Sequence, residues 1–411
     1  MTQTNKGSAP TGRPGIASPI QEKLGKVNEQ VMGPKLLGVV CGMVLVGLLV
    51  LGLWPFHSPR NQVTWAGSGN GLHFGRHATI LSSGKFQAAT IPADAPCSLE
   101  IWLEPALTEA SGTLLAFYAP GNPRQFSLEQ SISDLALRSD IPEGRYQSRI
   151  TRLYVDEIFR KGKPLFITVT SSGGRTSVYI DGALARTSAK FPLSRQDFDG
   201  ELVIATSPVD GNSWSGWLRG LAFYDQELTP QQVSQHFTAW TTKGRPVVSD
   251  DERAVALYLF DERAGGVIHN QAPSGTSLYI PDRYLVLDQA FLKPFWTEFH
   301  ADWGYVNDLL INIVGFVPFG FLVCAYLSLA GRFRKPALVT TLLGLAVSLT
   351  IETLQSLLPT RGSGTTDLIT NTSGTFLGAW LYGCNFWRPL WIKIWTHLVS
   401  SVYAKLYNRG K

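Results

Sequence analysis

Long apolar runs lie toward both ends of the chain, and short alternating runs fill its middle. Residues 36–54 are 19 positions without a charged side chain. At about 1.5 Å per residue such a helix crosses a hydrocarbon core of about 30 Å. Three further apolar runs follow at about 309–330, 337–358 and 368–387. The pattern predicts an α-helical transmembrane bundle of about four spans, with Gly374-x-x-x-Gly378 in the last run as a close-packing face.

The basic residues beside these runs predict an orientation. Three lysines lie between residues 23 and 35, whereas Arg60 is the nearest base after the first run. Basic residues cluster again at 332–335, between the second and third runs. Positive charge favours the cytoplasmic side, so we expect a multi-pass protein with a cytoplasmic amino terminus. The long leader and the absence of a small-residue cleavage motif favour an uncleaved anchor over a signal peptide.

Residues 60–285 show the alternation of half-buried strands, broken by turn residues. Gly173-Gly174 and Asp181-Gly182 each predict a hairpin turn. Thr229 followed by Pro230 predicts the start of one amphipathic helix. We therefore predict an all-β jelly-roll sandwich on the extracytoplasmic side. The clearest predicted strands are 98–103, 113–118, 126–130 and 164–169.

The remaining segments are short. Residues 1–35 are rich in Gly, Pro, Ser and Gln and are expected to form a disordered cytoplasmic tail. Residues 286–304 are aromatic-rich, which is typical of an interfacial linker leading into the membrane domain at 305–387. Residues 388–411 are expected to form an amphipathic interfacial helix and a cytoplasmic tail, and a fifth span at 389–404 stays open as the alternative.

Each of the last three apolar runs carries, within it or at its edge, one carboxylate and one side-chain amide at helical spacing. Acids in such surroundings are costly to keep, which makes a shared polar site the first hypothesis. The predicted topology places all three pairs near the outer leaflet, with one arginine in the loop beside them. The predicted binding residues are Asp308, Asn312, Glu352, Gln355, Arg361, Asp367 and Asn371. The alternative is that these groups only bond the helices to each other.

Charge and chemistry narrow the function classes. The formal net charge is +5, but the bases flank apolar runs instead of alternating with aromatic residues, so nucleic acid is not an expected partner. Three carboxylates in a low-dielectric site cannot all be ionised, so a proton, Arg361 or a cation should compensate them. No catalytic residue and no cofactor is assigned. A divalent cation is a candidate ligand at the acidic cluster or in the sandwich.

The middle of the chain resembles the laminin-G-like, concanavalin A-like jelly roll. The segments that carry the resemblance are 98–103, 178–182 and 214–225, the last followed by the helix start at Thr229. The resemblance implies binding of glycans, peptides or calcium. Glu100 and Glu104 lie on one strand face without the third acid of the related glucanases, which argues against hydrolysis. Core packing is the favoured role of the tryptophans, ahead of sugar stacking; they are Trp65, Trp102, Trp214 and Trp217.

Residues 300–385 are similar to the VanZ-like family. The matching motifs are 308–320, 352–361 and 367–374, in that order. In this chain the sandwich stands between the first two spans, whereas compact members have those spans close together. The family takes its name from low-level resistance to the glycopeptide teicoplanin, and its chemistry is unsettled. The resemblance implies a role in the envelope and the plasma (inner) membrane of a bacterium.

Three hypotheses follow. The first is a membrane protein of the bacterial envelope that contacts membrane lipids and binds or presents a glycan, a lipid-linked precursor or a glycopeptide. The second is a membrane enzyme that uses Glu352 or Asp367 on a lipid-linked substrate. The third is a surface adhesion or sensing module with a membrane anchor, which would not need three acids.

Overall fold

The protein's structure, a computed structural model, describes residues 19–86, 95–142, 148–246, 254–273, 275–299 and 303–384. The chain folds into two compact units. Of the described residues, those among 19–54, 292–354 and 363–384 form the helical unit. Those among 55–291 and 355–362 form the sandwich unit. The predicted interfacial helix at 388–411 lies outside the described residues, as do residues 1–18 of the predicted tail.

The elements have the following bounds. The helices are α1 (Pro19–Leu53), α2 (Pro230–Lys243), α3 (Phe295–Glu298), α4 (Trp303–Ala330), α5 (Pro336–Gln355) and α6 (Thr365–Gly383), and Arg195–Phe198 is a short 3-10 helix. The strands are β1 (Val63–Trp65), β2 (Leu72–Phe74), β3 (Ile80–Ser82), β4 (Cys97–Pro105), β5 (Ala110–Ala119), β6 (Asn122–Ile132), β7 (Asp134–Pro142), β8 (Ser148–Val155), β9 (Leu165–Ser172), β10 (Arg175–Ile180), β11 (Ala183–Ser188), β12 (Glu201–Ile204), β13 (Gly216–Tyr224), β14 (Ala254–Tyr258), β15 (Val267–Ile268) and β16 (Leu278–Tyr279).

Two antiparallel sheets form the sandwich. One has the order β1-β2-β13-β4-β9-β10-β11, with β14 also paired to β13, and the other has the order β15-β16-β3-β12-β5-β6-β7-β8. Residues from both sheets form one buried core, in which Phe117 of β5 packs edge-on against Phe223 of β13. The predicted sandwich is confirmed.

The predicted turns and helix of the sandwich are also confirmed. Ser172 pairs with Arg175 across Gly173-Gly174, and Ile180 pairs with Ala183 across Asp181-Gly182. Thr229 accepts a hydrogen bond from the backbone of Gln232 and caps α2. This helix packs on the outer face of the first sheet, where Val233 and Trp240 are buried beside Tyr224.

Close contact between α4 and α6 organises the helical unit. A Cβ atom at Gly374 would lie 2.2 Å from the carbonyl oxygen of Ile313, and one at Gly378 would lie 2.1 Å from that of Val317. Only glycine permits this approach. The predicted close-packing face Gly374-x-x-x-Gly378 is therefore confirmed.

Three of the described helices are long and apolar enough to cross a membrane: Lys35–Leu53 within α1, Trp303–Ala330 and Pro336–Gln355. The helix α6 is not among them, since its first half is rich in Thr, Ser and Asn. One expectation needs correction, because residues 19–35 are helical and not disordered. Their Gln, Glu, Lys and Leu residues are good helix formers, and the helix continues from them into the first apolar run.

Candidate functional site

The candidate site surrounds the first turn of α6. The segment before α3 runs alongside the residues that lead into α6, with backbone hydrogen bonds from Lys293 to Ser363 and from Thr365 to Lys293, both 2.9 Å. This pairing brings Glu298 to the helix start, where its Oε2 accepts hydrogen bonds from Thr366 Oγ1 (2.6 Å) and Thr366 N (3.3 Å). A side chain at Gly364 would occupy the position of the Glu298 carboxylate.

Glu352 reaches the same turn from α5. Its side chain is 1 % exposed, and its Oε2 accepts a 2.8 Å hydrogen bond from the backbone N–H of Gly364. The hydroxyl of Ser363 is a second hydrogen-bond partner of this carboxylate. Carboxylates at a helix amino terminus are favoured by the macrodipole, so Glu298 and Glu352 together stabilise the start of α6.

Asp367 connects α6 to α4. Its Oδ1 accepts a 2.7 Å hydrogen bond from Asn312 Nδ2. One turn further along α6, Asn371 Nδ2 donates a 3.0 Å hydrogen bond to Ser348 Oγ of α5. Asp308, four residues before Asn312, is exposed. The two predicted pairs at 308/312 and 367/371 therefore meet through Asn312 and Asp367.

The electrostatics of the cluster are dominated by negative charge. Asp367 interacts electrostatically with Glu298 and Asp308, and Glu352 interacts with Asp367 and Glu298. Four carboxylates thus act on the first turn of α6. The positive end of the α6 helix dipole offsets part of their negative charge. Such a site can accept hydrogen bonds from hydroxyl and amine groups or hold a cation.

Two predicted residues belong to the sandwich unit. Gln355, the last residue of α5, is 9 % exposed, and Arg361 lines a cavity formed by sandwich residues. Glu298 is the site residue that sequence reasoning missed. Its signal was a single acid among aromatic residues, Phe295-Trp296-Thr297-Glu298, just before the second apolar run.

The part of the chain that the structure describes contains no group of three or more His, Cys, Asp or Glu side chains arranged to hold a metal ion. Sites for a cation at the acidic cluster or in the sandwich remain expectations from the sequence.

Glu100 of the sandwich is a buried structural acid in this arrangement. Its carboxylate is within 3.0 Å of His236 Nδ1 and accepts hydrogen bonds from the Tyr224 hydroxyl (2.9 Å) and Trp240 Nε1 (3.2 Å). These partners fix α2 on the first sheet. Glu104 instead pairs with Arg219 at 2.8 Å, where both side chains are about one-third exposed.

The four singled-out tryptophans make contacts within the sandwich unit. Trp214 is 3 % exposed and donates to Gln130 Oε1 at 2.9 Å. Trp65 donates to the Gly265 carbonyl at 2.9 Å, Trp102 packs against Trp240, and Trp217 contacts His73 with their ring planes tilted by 56°. These contacts agree with the packing interpretation.

The fold and the site define the class as a membrane protein with an antiparallel β-sandwich. Residues 255–388 match the family model VanZ/LLP1, and residues 81–234 match the model of the concanavalin A-like lectin/glucanases superfamily. The chain thus carries a VanZ-like region and a concanavalin A-like domain, as both resemblances implied. The VanZ/LLP1 match begins at 255, upstream of the expected boundary near 300.

A relative and two solved structures are similar to parts of this chain. Protein VanZ of Enterococcus faecium is 38 % identical over 80 residues, which are 20 % of this chain and 47 % of that protein. The chain therefore spans about half the length of this relative. A heptameric SAP-like pentraxin from Limulus polyphemus is 16 % identical, with a TM-score of 0.32 over 56 % of this chain and 95 % of that one. The binding domain of botulinum neurotoxin DC, in complex with SialylT, is 16 % identical, with a TM-score of 0.32 over 44 % and 45 %.

Proposed function

We propose that this chain is a bacterial envelope protein whose helical unit binds a polar envelope ligand at the acid and amide cluster. The observation that carries the proposal is the convergence of Glu298, Glu352 and Asp367 on the first turn of α6, within the VanZ/LLP1 match. Holding helices together would not need this many acids, because side-chain amides and hydroxyls form interhelical bonds at lower cost.

The chemistry of the cluster favours a ligand rich in hydroxyl or amine groups. Carboxylate and amide oxygens accept hydrogen bonds from such groups. A glycan, a lipid-linked precursor and a glycopeptide all offer them. In this proposal α6 crosses the plasma membrane beside the three apolar helices, with the amino terminus in the cytoplasm. The sandwich domain binds or presents the ligand outside.

An enzyme acting on a lipid-linked substrate is the second candidate. The observation that favours it is the hydrogen bond from Asn312 to Asp367, which orients that carboxylate as a supporting residue orients a general base. Under this alternative the chain would change the chemical structure of its ligand.

Lipid and glycan profiling of a strain that lacks the gene tests both candidates. The strain is complemented with the wild type, with Glu352→Gln, or with Thr350→Val as a control on an exposed position of the same helix. We expect the wild type and the control to restore the envelope phenotype and Glu352→Gln to fail. A modified lipid-linked pool would select the enzyme, whereas a phenotype without any modified molecule would select binding. Equal rescue by Glu352→Gln would contradict the proposal.

A further inference from the structure

A cavity of about 380 Å³ lies within the sandwich unit. Its lining differs from the acidic cluster in composition and in charge. Its lining includes two arginines, Arg76 and Arg361, together with Asp210, Asn212 and Tyr284. Pockets of about 300–1,000 Å³ with a few convergent polar groups are the usual form of small-ligand sites.

The wall that carries Asp210 is a fixed turn. Asn212 N donates to Asp210 Oδ1 at 3.2 Å, and Gly211 adopts a left-handed φ of 64°. A Cβ at Gly211 would lie 3.0 Å from the Pro359 carbonyl oxygen, so the turn and residues 355–362 are in close contact. The Tyr284 hydroxyl donates a hydrogen bond to the Gly211 carbonyl oxygen at 3.0 Å, which fixes the position of the turn.

The segment that carries Arg361 is also held in place. Gln289 Nε2 donates hydrogen bonds to the carbonyl oxygens of Leu358 and Arg361, so one side chain holds this segment at two points. The backbone N–H of Arg361 donates to Leu358 O at 2.9 Å. The position of Arg361 is therefore set by the sandwich unit itself.

The charge of the lining is net positive. It contains two arginines and one aspartate. Burial, and to a lesser degree the positive charge of Arg76, lower the pKa of His77 below its ordinary value, so His77 is neutral at neutral pH. Burial raises the pKa of Tyr284, which keeps its hydroxyl neutral as well. Two guanidinium groups at one cavity favour a planar or tetrahedral anion.

We propose that this cavity binds a phosphorylated sugar, with the phosphate on Arg76 and Arg361 and the sugar hydroxyls on Asp210 and Asn212. Carboxylate and amide oxygens accept hydrogen bonds from sugar hydroxyls, and the negative charge of Asp210 disfavours a bare phosphate that brings no sugar. This inference rests on the proposed function, in which the sandwich domain binds or presents an envelope ligand. It adds the class of that ligand and the cavity that binds it. The acidic cluster of the helical unit takes no part in it.

Calorimetric titration of the full chain in detergent micelles tests the cavity. The soluble probes are N-acetylglucosamine 1-phosphate, N-acetylglucosamine and inorganic phosphate. Vesicles that carry a lipid-linked N-acetylglucosamine phosphate show whether the sugar phosphate also binds when it is attached to a lipid. Phosphatidylglycerol vesicles are their control.

We expect the sugar phosphate to bind, free or lipid-linked, more tightly than either of its parts. Arg76→Gln alone, at an exposed position, should weaken binding about tenfold, because one charge-assisted hydrogen-bond partner is lost. The double variant Arg76→Gln, Arg361→Gln should weaken it further. Arg160→Gln, an arginine of the same unit with a 62 % exposed side chain that does not line the cavity, should leave binding unchanged.

Three results would overturn the inference. The first is that the sugar phosphate does not bind in either form. The second is that the double arginine variant binds it as tightly as the wild type. The third is that phosphatidylglycerol vesicles bind as tightly as vesicles that carry the lipid-linked sugar phosphate. Asp367→Asn should keep the sugar-phosphate affinity, so failure at this cavity and failure of the membrane cluster are separate results.

Discussion

Substituting Gly374 by alanine should separate α4 from α6 and so disturb the candidate site. The added Cβ would lie 2.2 Å from the Ile313 carbonyl oxygen. Because carbon and oxygen in contact stand about 3.3 Å or more apart, the helices must part locally by roughly 1 Å. Overpacking of this kind costs about 1–3 kcal/mol in the free energy of unfolding. The same displacement would stretch the 2.7 Å hydrogen bond from Asn312 to Asp367 beyond an effective length.

The matched control is Gly315→Ala on the facing helix α4, where nothing lies within 4 Å of the added Cβ. Here alanine should be neutral or stabilising by up to about 1 kcal/mol, because glycine is the weaker helix former. Denaturation of the full chain in mixed micelles, followed by circular dichroism at a helix band, measures both variants. Equal stability of Gly374→Ala and Gly315→Ala would refute the packing argument.

Three further predictions concern the sandwich and the topology. Glu100→Gln should lower the free energy of unfolding by about 2–4 kcal/mol in a thermal melt, because it replaces an acceptor oxygen of the buried carboxylate by an amide group among His236, Tyr224 and Trp240. Glu104→Gln, at a side chain about one-third exposed, should cost at most about 1 kcal/mol, and equal costs would contradict the buried network. Burial raises the pKa of Asp197 in the fold, so the stabilising effect of its neutral form is present below its ordinary pKa of 3.8 and is lost as pH rises through the folded value. Asp197→Asn should therefore gain stability relative to the wild type in a denaturant series as pH rises from 3.8 through the folded pKa of Asp197, and a constant difference would count against this account. A cysteine placed by Asn212→Cys should react with an impermeant thiol reagent in cells with a permeabilised outer layer, whereas Phe333→Cys should not; the reverse result would invert the topology.

The sequence was a good guide to the elements whose signals are local. The cap at Thr229, the two glycine hairpins and the small-residue face of α6 each depend on neighbouring residues, and each appears as predicted. The alternation in β4 also placed Glu100 and Glu104 on one face of the strand. It could not predict that the two acids have different partners. Those partners come from α2 and β13, more than 100 residues away in the chain.

The candidate site was predictable in part. Helical spacing and the high cost of acids identified Asp308, Glu352 and Asp367, but spacing cannot show which acid meets which helix. Glu298 was missed because it reaches α6 only through the backbone pairing of Lys293 with residues 363–365. Arg361 was grouped with the acids because it follows α5 closely, whereas its backbone is held by Gln289 of the sandwich unit.

The double variant Glu352→Gln, Asp367→Asn tests the central claim most directly. The amides keep the oxygens that accept from Gly364 N and from Asn312 Nδ2, so both observed hydrogen bonds can persist while two negative charges disappear. Membrane abundance by immunoblot and rescue of the deletion strain are measured together, with Thr350→Val as the control. The account predicts near-normal abundance with lost function, whereas full rescue by the double variant would show that the cluster only holds the helices together.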